Sequence, residues 1–180
     1  VKYRNKIKNY AISKLFDEGK YSIAFEKLKK EHSDYLNDLT DLRNIAIVCL
    51  NIAESGQLSN SNYKEVISVW LTAIYQEQLF IKSLDYTSWD NNFTFSLHDA
   101  YGHFNEGTVY YLPDNVNLNH EGDDKLVMIK EVQRYLLDRF EASISNNQQY
   151  HLFLTDERNT MDSLIALNLD VKCKLVAPYL

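Results

Sequence analysis

Residues 62–80 read NYKEVISVWLTAIYQEQLF, and this stretch decides how the rest of the chain is interpreted. Its middle, residues 66–75, carries no charge and only three hydroxyl side chains, so a helix here is apolar around nearly its whole circumference. Glu65 and Glu77 bound this apolar segment, which is far shorter than the roughly 18 to 20 residues that cross a bilayer. We therefore predict a central helix that other helices bury, with Trp70 in its middle.

The chain has the composition of an ordinary globular protein, with 45% hydrophobic and 24% charged side chains among its 180 residues. This balance excludes wholesale disorder, and the length favours one domain. Two cysteines, Cys49 and Cys173, cannot form a disulfide framework and lack metal-ligand spacing, so we expect two reduced thiols in a cytoplasmic protein. No secretory signal and no segment of transmembrane length is visible in the sequence. Because the chain begins at Val1 and stops soon after a proline, we expect it to be part of a larger polypeptide.

Charge is distributed unevenly along the sequence. Residues 1–30 contain nine Lys or Arg against three Asp or Glu, whereas the whole chain has a net charge of −6. The overall negative charge weighs against broad nucleic-acid binding, which requires a surface that displaces phosphate counterions. The basic residues have two interpretations: they dock an acidic surface of a partner, or they form a solvated helix face that meets the acidic remainder of the same chain. The second interpretation needs no partner and is the simpler one.

Apolar residues recur at helical intervals before the central helix. They predict helices over residues 2–18 and 21–31, separated by a short connection that contains Gly19 and makes the two helices antiparallel. A third helix is predicted to start at Asp41 and to end before Gly56. We expect both glycines to form hairpin turns, since each permits a backbone conformation that is costly for other residues.

The two predicted hairpins repeat the same order of helix, glycine turn and helix. The corresponding positions in the second helix of each unit are Tyr21, Ala24 and Leu28 in the first and Tyr63, Val66 and Trp70 in the second, 42 residues apart. Over roughly residues 8–80 this pattern resembles the tetratricopeptide repeat, in which a small residue on the second helix lets it pack closely on the first. The positions that match this family in the first unit are Leu15, Gly19, Tyr21 and Ala24, whereas Ala11 and Ile12 depart from it. The resemblance implies antiparallel helical hairpins in a short array that binds another protein, and other solenoids of helical hairpins share the pattern.

The sequence loses its regular period over residues 84–123. This segment holds three of the five glycines, and only a short helix at 93–101 and a strand at 108–112 are predicted within it. A loop-rich insert of this length is uncommon in a compact domain and is a candidate functional surface. The alternative is a packed excursion that its aromatic side chains anchor.

One cluster within the insert has the residue types that bind metals. On a helix, Asp99, His103 and Glu106 would share one face, and two carboxylates with an imidazole can hold a divalent cation or act as acid and base. His98 lies beside them, but Gly102 interrupts the helix, so a solvated polar loop is the simpler interpretation. We therefore assign no catalytic, cofactor-binding or metal-binding residues and expect folding to need no metal. A metal-dependent enzyme that uses this cluster is the alternative function.

Regular spacing returns in residues 124–144, which predict the most amphipathic helix of the chain. The polar residues 145–149 end it. The apolar run 150–154 fits a helix or a strand, and a further helix is predicted to start at Thr155, because Thr followed by two acidic residues is a typical helix start. The tail alternates over residues 171–175, which is weakly strand-like.

The sequence thus predicts an all-α fold of antiparallel helical hairpins in a short tetratricopeptide-like array with a loop-rich aromatic insert. Its parts are two hairpins over residues 8–83, the insert over 84–123 and C-terminal helices over 124–180, all within a single domain 1–180. The expected function is a protein–protein interaction or scaffold module, whose partner is another protein or another region of the same polypeptide. Neither a membrane nor nucleic acid is an expected partner. The sequence contains no phosphate-binding glycine loop, nucleophile elbow or zinc-protease motif.

Overall fold

The computed structural model describes residues 10–83, 134 and 136–172, and every regular element in this part of the chain is a helix. The bounds are Tyr10–Asp17 for α1, Tyr21–Glu31 for α2, Leu39–Glu54 for α3, Tyr63–Ser83 for α4 and Gln148–Ala166 for α6. A 3₁₀ turn, Tyr35–Asn37, precedes α3, and residues 136–144 form α5. The prediction of an all-α fold is confirmed for these residues, whereas the predicted insert over 84–123 and the tail after residue 172 lie outside them.

Helix α4 is the buried centre that its uncharged sequence predicts. All ten residues of 66–75 are buried, including the hydroxyl-bearing Ser68 and Thr72. The indole of Trp70 stacks on Phe140 of α5, with ring centroids 5.1 Å apart and ring planes 9° from parallel. The hydroxyl of Thr72 donates to the carbonyl of Ser68 over 2.7 Å, so this polar group is satisfied within the helix. Burial around the whole circumference confirms that α4 is covered by its neighbours.

Helix α3 is buried as completely as α4. Nine consecutive residues, 45–53, have at most 4% of their surface exposed, and they include the polar Asn51. Helix α3 packs against α2 and α4, and α4 packs against α6. In an open array each hairpin contacts only its neighbours and keeps a side that faces solvent, so two helices whose middle segments are buried on every side form a more enclosed core than such an array needs. The tetratricopeptide-like arrangement itself stays a prediction.

Gly19 and Gly56 end α1 and α3 in the same conformation. Their φ angles are 73° and 74°, in the left-handed region that favours glycine. At each site the amide after the glycine bonds to the carbonyl five residues back over 2.9 Å, which satisfies a terminal carbonyl of the helix in the Schellman pattern. Asn168 adopts the same conformation after α6, with a φ of 58°. The prediction that both glycines lie in turns between helices is confirmed.

Two helices begin earlier than their sequences predict. Helix α3 begins two residues before the predicted Asp41, because the carboxylate of Asp38 accepts the amide of Asp41 over 3.0 Å and caps the helix. Asn147 caps α6 in the same way, so the run 150–154 is helical and the predicted start at Thr155 is wrong. Thr155 lies within α6, where its hydroxyl donates to a backbone carbonyl one turn earlier.

Candidate interaction surfaces

The start of α2 is held by the connection between α3 and α4. The residue that precedes α2 provides no side-chain cap, and Gln57 takes this role from the next hairpin. The side-chain oxygen of Gln57 accepts the backbone amide of Ser22 over 3.1 Å, and its nitrogen donates to the carbonyl of Gly19 over 2.6 Å. Asn62 adds a hydrogen bond to the hydroxyl of Ser22 over 3.3 Å. These bonds join the turn before α2 to the turn before α4.

Lys29 joins α2 to α4, and its charge is neutralised within the fold. Its ammonium lies 2.5 Å from the carboxylate of Glu65 and 3.1 Å from that of Glu26. It also lies 4.6 Å from the centroid of the Phe25 ring, within the range of a cation–π contact. Only 16% of the Lys29 side chain is exposed, so other lysines supply the charge that α2 presents to solvent.

Helices α3 and α5 are joined by Glu54 and Arg139. Both carboxylate oxygens of Glu54 accept hydrogen bonds from the guanidinium group, in the bidentate geometry that favours this pair. Burial raises the pKa of Glu54 above its ordinary value, because desolvation penalises the charged form by more than the neighbouring Arg139 favours it. The pair anchors α5 at the residue that precedes Phe140, whose ring stacks on Trp70.

Hydrogen bonds between described side chains join α4 to α6 and to the residues that follow α6. In order along α4 they link Tyr63 to Gln149, Ser68 to Glu157, Tyr75 to Asp162 and Gln76 to Asp170. The partners advance together along both segments, so α4 and α6 run in the same direction. Burial and the hydrogen bond to Asp162 raise the pKa of Tyr75 well above its ordinary value, which keeps the phenol protonated as a donor. Helix α6 is thereby fixed in register on the central helix.

Glu141 joins α5 to α6 near the surface. Its carboxylate accepts a hydrogen bond from Arg158 over 3.0 Å and lies 3.2 Å from the ring nitrogen of His151. All three side chains are partly exposed, and ion pairs of this kind contribute little to stability. The cluster orients the two helices rather than forming an enclosed site.

The outer face of α2 combines one aliphatic side chain with lysines, and the exposed Glu26 and Glu31 border it. Its members, which we call the α2 stripe, are Lys20, Ile23, Lys27 and Lys30. Their spacing of three, four and three residues places them along one side of a helix. All four are exposed, and Ile23 has half of its surface in solvent. Lys20 lies 3.2 Å from Glu18, whereas no described acidic side chain pairs with Lys27 or Lys30.

The outer face of α6 carries the opposite charge. Its members, which we call the α6 stripe, are Leu152, Asp156, Asn159 and Ser163. They are spaced by four, three and four residues and are all exposed, with 54% of the surface of Leu152 in solvent. No described basic side chain pairs with the carboxylate of Asp156. The stripe therefore presents an aliphatic side chain beside an unneutralised negative charge.

Two further leucines are exposed where α6 ends. Leu167 has 68% and Leu169 has 50% of its surface in solvent, on either side of the left-handed Asn168. The chain is anchored on both sides of this turn, since Met161 before it and Val171 after it are buried. A fixed turn that holds two large aliphatic side chains in solvent is a candidate contact for a partner.

The basic residues of positions 1–30 have two interpretations: they pair with acidic residues of the same chain, or they dock an acidic surface of a partner. Those that the structure describes are Lys14, Lys20, Lys27, Lys29 and Lys30. Lys14, Lys20 and Lys29 pair with acidic side chains of the same chain, which is the simpler interpretation. Lys27 and Lys30 remain available in the α2 stripe, so docking of an acidic surface is still open at these two positions.

The predicted metal cluster lies outside the described residues. Its members are His98, Asp99, His103 and Glu106. Within the part of the chain that the structure describes, no group of three or more His, Cys, Asp or Glu is placed to hold a metal ion. Cys49 is buried in α3, and burial raises the pKa of its thiol, which makes it a core side chain rather than a nucleophile.

The comparisons with known proteins add no relative. Neither the protein-family models nor the curated proteins nor the solved structures contain a match to this chain. Among the described helices, none is long and apolar enough to span a membrane. A function is therefore inferred from the contacts and the exposed surfaces of the described residues.

Proposed function

We propose that this chain is a protein–protein interaction or scaffold module, whose partner is another protein or another region of the same polypeptide. The resemblance of residues 8–80 to the tetratricopeptide repeat supports this proposal, because arrays of that kind offer extended binding surfaces. The side-chain bonds that tie α2, α5 and α6 to the buried helices support it as well. A surface whose residues are already held in place pays less conformational entropy when a partner binds.

The observation that carries the proposal is the exposed pair Leu167 and Leu169 on its anchored turn. Residues 45–53 of α3 and 66–75 of α4 are buried, so a partner has to bind at other, exposed residues. A partner that covers both leucines removes their apolar surface from water, which is favourable by about 25 cal/mol per Å². We place this module in the cytoplasm, and the free thiol of Cys49 is in keeping with a reducing compartment.

The double variant Leu167→Ser/Leu169→Ser tests the proposal. Wild-type protein is immobilised and incubated with cell extract, and the retained proteins are quantified by mass spectrometry. We expect a defined set of proteins to be retained by the wild type and lost by the variant, since serine removes the apolar contact but leaves the turn exposed. Binding of one such protein is then measured by calorimetry with purified components.

A matched control separates this surface from the rest of α6. Thr155→Ser/Thr160→Ser changes two side chains on the same helix by one methyl group each, away from the leucine pair, and should retain the same proteins as the wild type. Equal retention by the leucine variant and the wild type would refute this contact. If the wild type, the leucine variant and the threonine control all retain nothing above background, the proposed function is refuted.

A further inference from the structure

We propose that copies of this chain associate head to tail, with the α2 stripe of one copy packed on the α6 stripe of the next. The inference goes beyond the binding of another protein, because both halves of the contact belong to this chain. It depends on the pattern and charge of the two stripes and on the direction of the helices within the fold.

The two stripes match in pattern and oppose each other in charge. Ile23 is followed four residues later by Lys27, and Leu152 is followed four residues later by Asp156. When two helices lie side by side in the same direction with these aliphatic side chains in contact, the charged residues one turn later also meet. The contact buries Ile23 against Leu152 and pairs Lys27 with Asp156, two charges that have no described partner within the chain.

The fold contains a precedent for docking in the same direction. Helices α4 and α6 run in parallel and are bonded through pairs such as Ser68 with Glu157. Helix α2 approaches α4 as well, through Lys29 and Glu65. A second copy whose α2 docks in parallel on α6 repeats between chains the arrangement that α4 and α6 have within one chain.

The geometry of this contact determines what kind of assembly forms. The two stripes are different surfaces, so a bound pair keeps one free α2 stripe and one free α6 stripe. A head-to-tail contact of this kind adds further copies until it forms an open chain or closes as a ring. One pair of helices buries less than the roughly 1,000 Å² that a stable interface requires. The net charge of −6 on each copy also opposes the contact. Association is therefore weak and increases steadily with concentration.

Sedimentation velocity over a concentration series tests the proposal with the full chain. The mean sedimentation coefficient of the wild type should rise with concentration into the millimolar range. Lys27→Glu and Asp156→Lys should each weaken the association constant by about tenfold, because each reversal replaces an attraction with a repulsion. The chain that carries both changes restores an opposite-charge pair at the wild-type net charge, and its association should recover.

Two control variants separate the contact from the effect of net charge. Lys64→Glu and Asp138→Lys make the same changes of charge at exposed positions outside the stripes, so they report the effect of net charge alone, which should be much smaller than tenfold. Circular dichroism checks that each variant is folded. A wild type that stays monomeric at the highest concentration would overturn the proposal. The proposal would also be overturned if the stripe variants and the controls lost association equally, or if the double variant did not recover association. A dimer that does not extend would overturn it as well.

Discussion

Trp70 stabilises the core through burial and ring stacking rather than through hydrogen bonding. Its indole nitrogen has no hydrogen-bond partner, whereas its ring is fully buried and lies nearly parallel to that of Phe140. We expect Trp70→Ala to lower the free energy of unfolding by about 3 to 5 kcal/mol, because the change leaves a cavity at the centre of α4. Trp70→Phe should cost less, since it keeps an aromatic ring against Phe140 and loses no hydrogen bond.

Urea denaturation of the three proteins, followed by far-ultraviolet circular dichroism, measures both effects. An unchanged midpoint for Trp70→Ala would contradict the central role of this side chain. A Trp70→Phe variant as unstable as Trp70→Ala would instead mean that stacking on Phe140 is not the source of the stability.

Glu54 is expected to make stability depend on pH. Its pKa is raised above the ordinary value of 4.5, first by desolvation, so the folded chain keeps a proton that the unfolded chain has already released. The stability that this proton contributes is fully present below the pKa of the unfolded chain. It is lost as pH rises through the raised pKa of the folded chain. Glu54→Gln cannot titrate, so the wild type should lose stability relative to this variant as pH rises from acid towards neutral. Denaturation of both proteins across that range measures the effect, and a difference that is constant with pH would contradict it.

At the scale of elements, the end of α3 depends on a left-handed residue. A Cβ atom added to Gly56 meets nothing within 4 Å, so Gly56→Ala reports backbone strain alone. We expect it to lower the free energy of unfolding by about 1 to 2 kcal/mol. Gly56→Asn should cost less, because asparagine tolerates this conformation and Asn168 already adopts it in this chain. Urea midpoints of both variants measure the difference, and a Gly56→Ala protein as stable as the wild type would refute the account.

The elements that could be predicted from sequence are those with a local signal. The uncharged run 66–75 identified α4, and Gly19 and Gly56 identified the ends of α1 and α3. The start of α6 differs from the predicted one because its capping residue, Asn147, stands in a polar run that resembles a loop. Thr155 has the composition of a cap but lies inside the helix, since an earlier side chain already bonds to the first amides.

Contacts between elements depend on packing, so local sequence patterns do not predict them. Glu77 bounds the apolar run of α4, yet it is fully buried. The bonds of Gln57 to the start of α2 cross 35 residues and follow no spacing rule. The α2 stripe has a regular spacing in the sequence, but only the packed fold shows that this side of the helix faces solvent.

At the scale of the whole molecule, the enclosed helices α3 and α4 bear on how the chain unfolds. Units of an open repeat array contact only their neighbours and can unfold one after another. Here α2, α5 and α6 are bonded to the same two buried helices, so we expect one cooperative transition. Urea curves from tryptophan fluorescence and from far-ultraviolet circular dichroism should coincide. Two separate midpoints would contradict this expectation and favour an open array.

The α6 stripe lies within α6, whereas the exposed leucine pair follows the end of that helix. With Ile23 against Leu152, a docked α2 ends opposite Thr160, about 10 Å before Leu167 at 1.5 Å per residue. A neighbouring copy docked around Leu152 leaves the leucine turn free for another protein. An extended assembly then offers several such turns at once, which raises the apparent affinity for a partner with more than one matching site.

The first hairpin depends on Gln57, a residue that is synthesised after the hairpin itself. The amide of Ser22 receives its partner only after another 35 residues have been synthesised and the connection before α4 has folded back. Until then the nascent α2 has no side chain at its start to limit fraying. The two hairpins resemble each other in sequence, but a residue of the second completes the first. The first hairpin therefore reaches its final structure only after its own synthesis has ended.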